Sequence, residues 1–138
     1  MIPRGVRNNN PGNIRWGSPW QGLVDQAEST DKSFCQFTDP KWGIRAIAKI
    51  MLTYYDRYDL NTVNKIIHRW APPSENDTSA YVDAVASHLG VYDNDVINVH
   101  LAPVMRKLVE GIIYHENGIQ PYSKDVINSG LSLAGIDV

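Results

Sequence analysis

From Pro40 onward, apolar residues recur at three- and four-residue spacing. Ile44, Ile47, Ala48, Met51, Tyr55 and Tyr58 form one stripe, which predicts a helix of roughly five turns. Thr62 has the chemistry of an N-cap for a shorter helix whose Val63, Ile66, Ile67 and Trp70 share a face, and Pro72-Pro73 stops it. Asp77 or Thr78 caps the next, with Tyr81, Val82, Val85 and Leu89 internal and Gly90 at its C-terminal stop. A polar stretch with a short turn at Asp95–Leu101 follows. Pro103 then opens a helix carrying Met105, Leu108, Val109, Ile112 and Ile113, which Asn117-Gly118 closes. Ser123 caps a last helix through Val126, Ile127, Leu131 and Leu133.

The first roughly 35 residues lack this period, because Asn-Pro, Pro-Gly, Trp-Gly and Ser-Pro steps interrupt any helix. Short strands around Asn13–Trp16 and Ser33–Phe37 fit the pattern there. The expected product is an α+β, mostly α, single domain spanning residues 1–138, with a small irregular or β amino-terminal segment.

Composition narrows the function. With 43% hydrophobic and 20% charged residues, the chain has the make-up of an ordinary globular protein. A net charge of -2 lacks the basic excess of a nucleic-acid binder. The charge is unevenly spread: residues 1–70 hold 10 basic and 6 acidic side chains, and residues 71–138 hold 3 and 9. The single Cys35 excludes an intramolecular disulfide and a cysteine zinc cluster, and reads as a small buried filler. The amino terminus has no apolar signal region, and no window approaches the roughly 18 apolar residues of a membrane span. Synthesis in the cytoplasm is therefore expected, with any action outside it dependent on another delivery route.

Among the carboxylates, Glu116 is the most informative. It lies three and four residues beyond Ile113 and Ile112, so it continues the apolar stripe into the last turn of its helix. Desolvation there favours the neutral acid, and the negative end of the helix dipole disfavours a further negative charge. A glutamic acid kept neutral beside apolar surface is what a general acid for a glycosidic oxygen requires. The plainer alternative is a solvated helix-end glutamate paired with Arg106 or Lys107. Glu75 competes as a catalytic carboxylate but also reads as a stabiliser of the following helix N-terminus. Asp39 is available too, whereas Glu28 and Glu110 have no special context.

The segment Arg7-Asn8-Asn9-Asn10-Pro11-Gly12-Asn13-Ile14-Arg15-Trp16 gathers four amides, two guanidinium groups and an indole. Amides hydrogen-bond sugar hydroxyls and N-acetyl groups, and an indole covers apolar sugar C–H surface. The alternative is a cluster of Asx turns that only shapes a loop. Trp20, Trp42 and Trp70 read as core. His115-Glu116 opens like a zinc-protease helix, but Ile119 stands where the second histidine belongs. No P-loop, dinucleotide fingerprint or nucleophile elbow is present. No metal or cofactor is expected.

The run Arg4 to Arg15, with Phe34-Cys35-Gln36-Phe37, Gly43-Ile44-Arg45-Ala46, Trp70-Ala71-Pro72-Pro73 and His115-Glu116-Asn117-Gly118, resembles short tailed-phage proteins labelled virion structural proteins or endolysins. A looser resemblance is to lysozyme-like lytic transglycosylases and related glucosaminidases, where a helix ends in the catalytic Glu and an Asn-Ile motif follows downstream. Here the Asn-rich motif opens the chain and Glu116 nearly closes it, as in a circularly permuted lysozyme-like domain. The resemblance implies a general-acid role for Glu116 and sugar-cleft roles for Asn10, Asn13 and Phe37, while the chemistry of the residues themselves adds Glu75 as a weaker catalytic candidate and Trp16 as a sugar contact. It implies a peptidoglycan glycosidase acting on the periplasmic wall, released by a holin or carried in the virion. The expected partner is peptidoglycan, not nucleic acid or membrane, and the expected state is a monomer. A non-catalytic virion or wall-binding protein is the alternative.

Overall fold

The computed structural model, which describes all 138 residues, contains six helices. They are α1 (Arg4–Arg7), α2 (Pro40–Tyr58), α3 (Val63–Trp70), α4 (Thr78–Leu89), α5 (Ala102–Asn117) and α6 (Lys124–Leu133). Local chemistry sets most of their ends. Thr62, Asp77 and Ser123 each accept a backbone N–H three residues ahead, from Lys65 (3.1 Å), Ala80 (3.2 Å) and Val126 (3.2 Å). Gly90 and Gly118 close α4 and α5 in the left-handed conformation, with φ of 75° and 73°. The cap of α4 is Asp77, so neither Thr78 nor Glu75 has that duty.

Helix α2 packs along α6, and α4 along α5, while α5 also touches α2 and α6 and so joins the two pairs. The α2–α6 approach depends on a missing side chain. A Cβ on Gly130 would lie 3.0 Å from the Lys41 carbonyl oxygen and against the Ile44 side chain. Between the helices lies one core that includes Ile44, Ile47, Met51, Ile66, Tyr81, Met105, Leu108, Ile112 and Leu131, all buried. The segment between α4 and α5 contributes Ile97 and Val99 to it, pinned where Ile97 N–H donates to the Asn61 carbonyl (2.9 Å).

The amino-terminal third departs from the α+β expectation. Its only β features are two isolated antiparallel bridges, Arg15 with Phe34 and Leu23 with Phe37. The predicted strands meet, but no ladder grows, because side chains take up the backbone groups that would extend it. Asn10 receives the Ile14 N–H at its Oδ1 (3.0 Å), and its Nδ2 donates to the carbonyls of Ile14 and Cys35 (both 2.9 Å). Asp31 receives the N–H groups of Ser33 (2.9 Å) and Phe34 (3.0 Å), the Asn8 amide (2.9 Å) and both arms of Arg4 (2.6 and 2.8 Å). The short helix α1, not legible in the sequence, delivers Arg4 to this hub. Beneath it Cys35, Phe37 and Ala46 form a second small core, flanked by Trp16, Trp20 and Trp42. Tyr58, expected on the buried stripe, is 48% exposed as the last residue of α2, where the Arg69 guanidinium covers its ring at 4.3 Å. Leu133 is likewise exposed at the end of α6.

Candidate functional site

Two other segments reach Glu116, in the last turn of α5, and a third stands behind one of them. Asn13 Nδ2 donates to its Oε1 (3.0 Å), and the Tyr81 hydroxyl donates to its Oε2 (2.8 Å). Trp70, the last residue of α3, donates its indole N–H to the Tyr81 oxygen (3.0 Å). The result is a continuous hydrogen-bonded chain from indole to phenol to carboxylate to amide, in which each bond polarises the next. Burial first, and then the Glu116 charge, push the Tyr81 phenol far above its ordinary value. Tyr81 therefore keeps its proton and acts as a fixed donor. The His115 ring stacks on Tyr81, with centroids 3.8 Å apart. Arg106 is bonded instead to Asn128 (2.9 Å), so the plainer reading of a helix-end ion pair with it does not hold.

The backbone that presents Asn13 is specific to its residue types. Asn13 is left-handed, φ 50°, a conformation that asparagine tolerates better than most side chains. Its N–H donates to the Asn10 carbonyl (3.0 Å). Asn117, next to Glu116, ties the same loop to α5 by donating to the Pro11 carbonyl (2.8 Å) and to Ile113 (2.9 Å). With both amide nitrogens committed to acceptors, the Oδ1 atoms of Asn13 and Asn117 turn towards Gly5. A Cβ there would lie 2.8 and 2.6 Å from them. Both oxygens are buried without an N–H or O–H donor, and Gly5 is what allows them that position.

The assembly opens onto a cavity of about 660 Å³ whose lining includes Asn13, Arg15, Phe34, Tyr54, Arg69, Trp70, Glu75 and Glu116. Glu75, exposed in the loop before α4, faces the same space as Glu116. A second cavity of about 440 Å³ adjoins it, sharing Ile14, Arg15, Ile50, Tyr54 and Arg69, and adding Trp16 and Trp20.

Of the cleft residues expected from sequence, Asn13 alone touches Glu116. Asn10 is fully buried and spends its whole side chain on loop backbone, so it is a scaffold and not a sugar contact. Phe37 is 2% exposed in the small core, also away from the cavity. Trp16 anchors its indole N–H on the Asp31 carbonyl (3.0 Å) and lines the second cavity, not the first. Asp39 caps α2 by accepting from Lys41 N–H (3.0 Å), and Glu110 pairs with His88 (3.1 Å). Sequence reasoning missed Tyr81, Trp70 and Gly5. The one available signal was the polar atom carried by each of the two aromatics, which must find a partner when buried. No three His, Cys, Asp or Glu side chains cluster in a way that could hold a metal, and no helix is long and apolar enough to cross a membrane.

No family model matches the chain. It is 40% identical over 131 residues to Protein P5 of Pseudoalteromonas phage PM2, a match that covers 92% of this chain and 79% of that protein.

Proposed function

We propose that the chain, which belongs to the bacteriophage protein family of Protein P5 from Pseudoalteromonas phage PM2, is a phage peptidoglycan glycosidase. It cleaves the β-1,4 bond between N-acetylmuramic acid and N-acetylglucosamine with Glu116 as general acid. The observation that carries this reading is a carboxyl group held from both sides, by Asn13 and Tyr81, at the wall of a cavity lined by amide, indole and guanidinium groups. Those are the groups that recognise sugar hydroxyls, N-acetyl groups and C–H faces.

A lysozyme-like, circularly permuted domain is part of the proposal. It is supported by the 103-residue sequence separation bridged by the Asn13–Glu116 hydrogen bond, which joins the opening Asn-rich motif to the end of the late helix. Each Glu116 oxygen accepts one hydrogen bond and retains a second lone-pair position, so a proton there can face the substrate. In the reaction Glu116 protonates the glycosidic oxygen as its bond to the anomeric carbon breaks. The 6-hydroxyl of the muramic acid residue attacks that carbon and returns its proton to Glu116, giving an anhydro product. Water in place of the hydroxyl would give ordinary hydrolysis. The enzyme reaches the periplasmic wall through a holin-opened membrane or within the particle.

Turbidity of outer-membrane-permeabilised Gram-negative cells, with mass spectrometry of the soluble fraction, tests the proposal. Clearing with release of muropeptides is expected. Intact walls at stoichiometric protein would leave the non-catalytic virion or wall-binding reading in its place.

A further inference from the structure

Arg15 and Arg69 line both cavities described above, and neither is paired with a carboxylate. Each is held by aromatic surface instead: Arg15 lies over the Phe34 ring at 5.0 Å, and Arg69 lies over Tyr58 at 4.3 Å and Tyr54 at 5.6 Å. Stacking on a ring fixes the plane of a guanidinium without consuming its N–H donors. In the first cavity these cations share the space with Glu75 and Glu116, but the lining of the second contains no acidic side chain. Two exposed guanidinium groups on the lining of a cavity without an acidic side chain select a carboxylate, which each can grip through parallel hydrogen bonds.

We infer that the second cavity is a subsite for carboxylates of the peptide stem carried by the muramic acid residue, so that the preferred substrate is peptide-bearing glycan and not bare sugar chain. The inference rests on the proposed glycosidase reading, because it takes the stem to branch from a glycan lying along Glu116. Arg15 and Arg69 act as specificity-determining contacts, and the shared border formed by Ile14, Ile50 and Tyr54 makes the passage from one cavity to the other.

The test uses binding, not turnover. The disaccharide in which muramic acid is the reducing sugar has no bond of the cleaved type, so the wild-type protein can be titrated calorimetrically with it directly. Three forms serve as probes: with a tetrapeptide stem, with that stem's carboxylates amidated, and without a peptide. The free-acid stem should bind roughly tenfold or more tighter than the other two, as expected of charge-assisted hydrogen bonds, and added salt should erode the difference. Arg15→Gln or Arg69→Gln should abolish the advantage, and Arg69→Lys, which keeps the charge but loses the fork, should restore part of it. Circular dichroism of each variant establishes that the fold is retained. Equal affinity for the three ligands, no affinity for any of them, or an advantage that survives both glutamine substitutions overturns the inference. Stem-dependent binding by a protein that clears no walls would reject the glycosidase reading and leave this subsite standing.

Discussion

Replacing Glu116 by Gln removes the transferable proton while keeping the size of the side chain, but the surroundings do not treat the two alike. The carboxylate serves two donors, Asn13 Nδ2 at 3.0 Å and Tyr81 O–H at 2.8 Å. An amide offers one acceptor and brings an NH₂ of its own. If its oxygen faces Tyr81, its NH₂ meets the Asn13 NH₂. If its oxygen faces Asn13, the Tyr81 hydrogen loses its acceptor in a fully buried position. A buried unsatisfied donor costs about 1–3 kcal/mol. Asn13 is only partly buried, so the first arrangement is the cheaper one and water can relieve it, which puts the cost near the lower end. For a chain of this length that corresponds to a fall in Tm of roughly 4 °C.

The effect on lysis should be far larger, about 10²-fold or more, the usual contribution of a positioned acid. Scanning calorimetry and wall clearing measured on the same preparation separate the two effects. A folded Glu116→Gln protein that clears walls within a few-fold of wild type would refute the assignment, because no remaining group at that position can give up a proton.

Tyr81→Phe should lose about 1–3 kcal/mol, since it strips Trp70 Nε1 of its acceptor and Glu116 Oε2 of its donor; denaturant unfolding measures it, and lysis should fall less than in Glu116→Gln because the acid remains. Gly5→Ala forces a methyl against the Asn13 and Asn117 oxygens, so overpacking of about 1–3 kcal/mol should be accompanied by a loss of activity although the residue lines neither of the two cavities beside Glu116. Arg4, with the Phe34 N–H, the Asn8 amide and the Ser33 N–H, holds the Asp31 carboxyl well below the usual carboxylate range. Its folded-state value is lowered, so its stabilisation is complete above the unfolded value near pH 4 and drains away as the pH falls below it. Asp31→Asn should be less stable than wild type at pH 7 and should flatten that acid limb in unfolding titrations from pH 7 to pH 2.

The parts of this fold that were legible in the sequence are those decided within a few residues. Thr62 and Ser123 announce their helices because the cap and its N–H partner lie three positions apart, and the Ile44–Met51 stripe announces a buried face by its period alone. Glu116 was legible because it interrupts such a stripe. What surrounds it was not. Tyr81 has the same spacing as any core residue of α4, and its bond to Glu116 crosses 35 residues. Asn10 and Asn13 look alike in composition, yet one is consumed by loop backbone and the other reaches the carboxylate, a choice made by backbone turns that periodicity does not register. The amino-terminal segment hid its helix and its missing sheet for the same reason: its backbone groups are paid in side-chain hydrogen bonds to Asp31 and Asn10, not in a ladder.

Glu75 bears on which of the two outcomes the proposed reaction takes. A hydrolytic mechanism needs a second carboxylate to activate water or attack the sugar, and Glu75 is the one other carboxylate lining the cavity that holds Glu116. Its reading as a helix-stabilising acid is displaced by Asp77, which accepts the Ala80 N–H that a cap must satisfy. Glu75→Gln should therefore leave Tm nearly unchanged. Freedom from capping does not make Glu75 a catalyst, because a base or nucleophile has to be held in register with the reacting carbon. Glu116 is gripped at both oxygens by elements rooted in the core, whereas Glu75 stands exposed on a loop between Pro72 and Asp77. That asymmetry favours attack by the substrate's own 6-hydroxyl. Glu75→Gln is expected to retain lysis within about threefold, the effect of altering one exposed polar contact, and wild type is expected to release muropeptides ending in the anhydro sugar, 18 Da lighter than hydrolytic products by the mass of one water. Reducing-end products, together with a folded Glu75→Gln protein that no longer clears walls, would make Glu75 the second catalytic group and the reaction a hydrolysis.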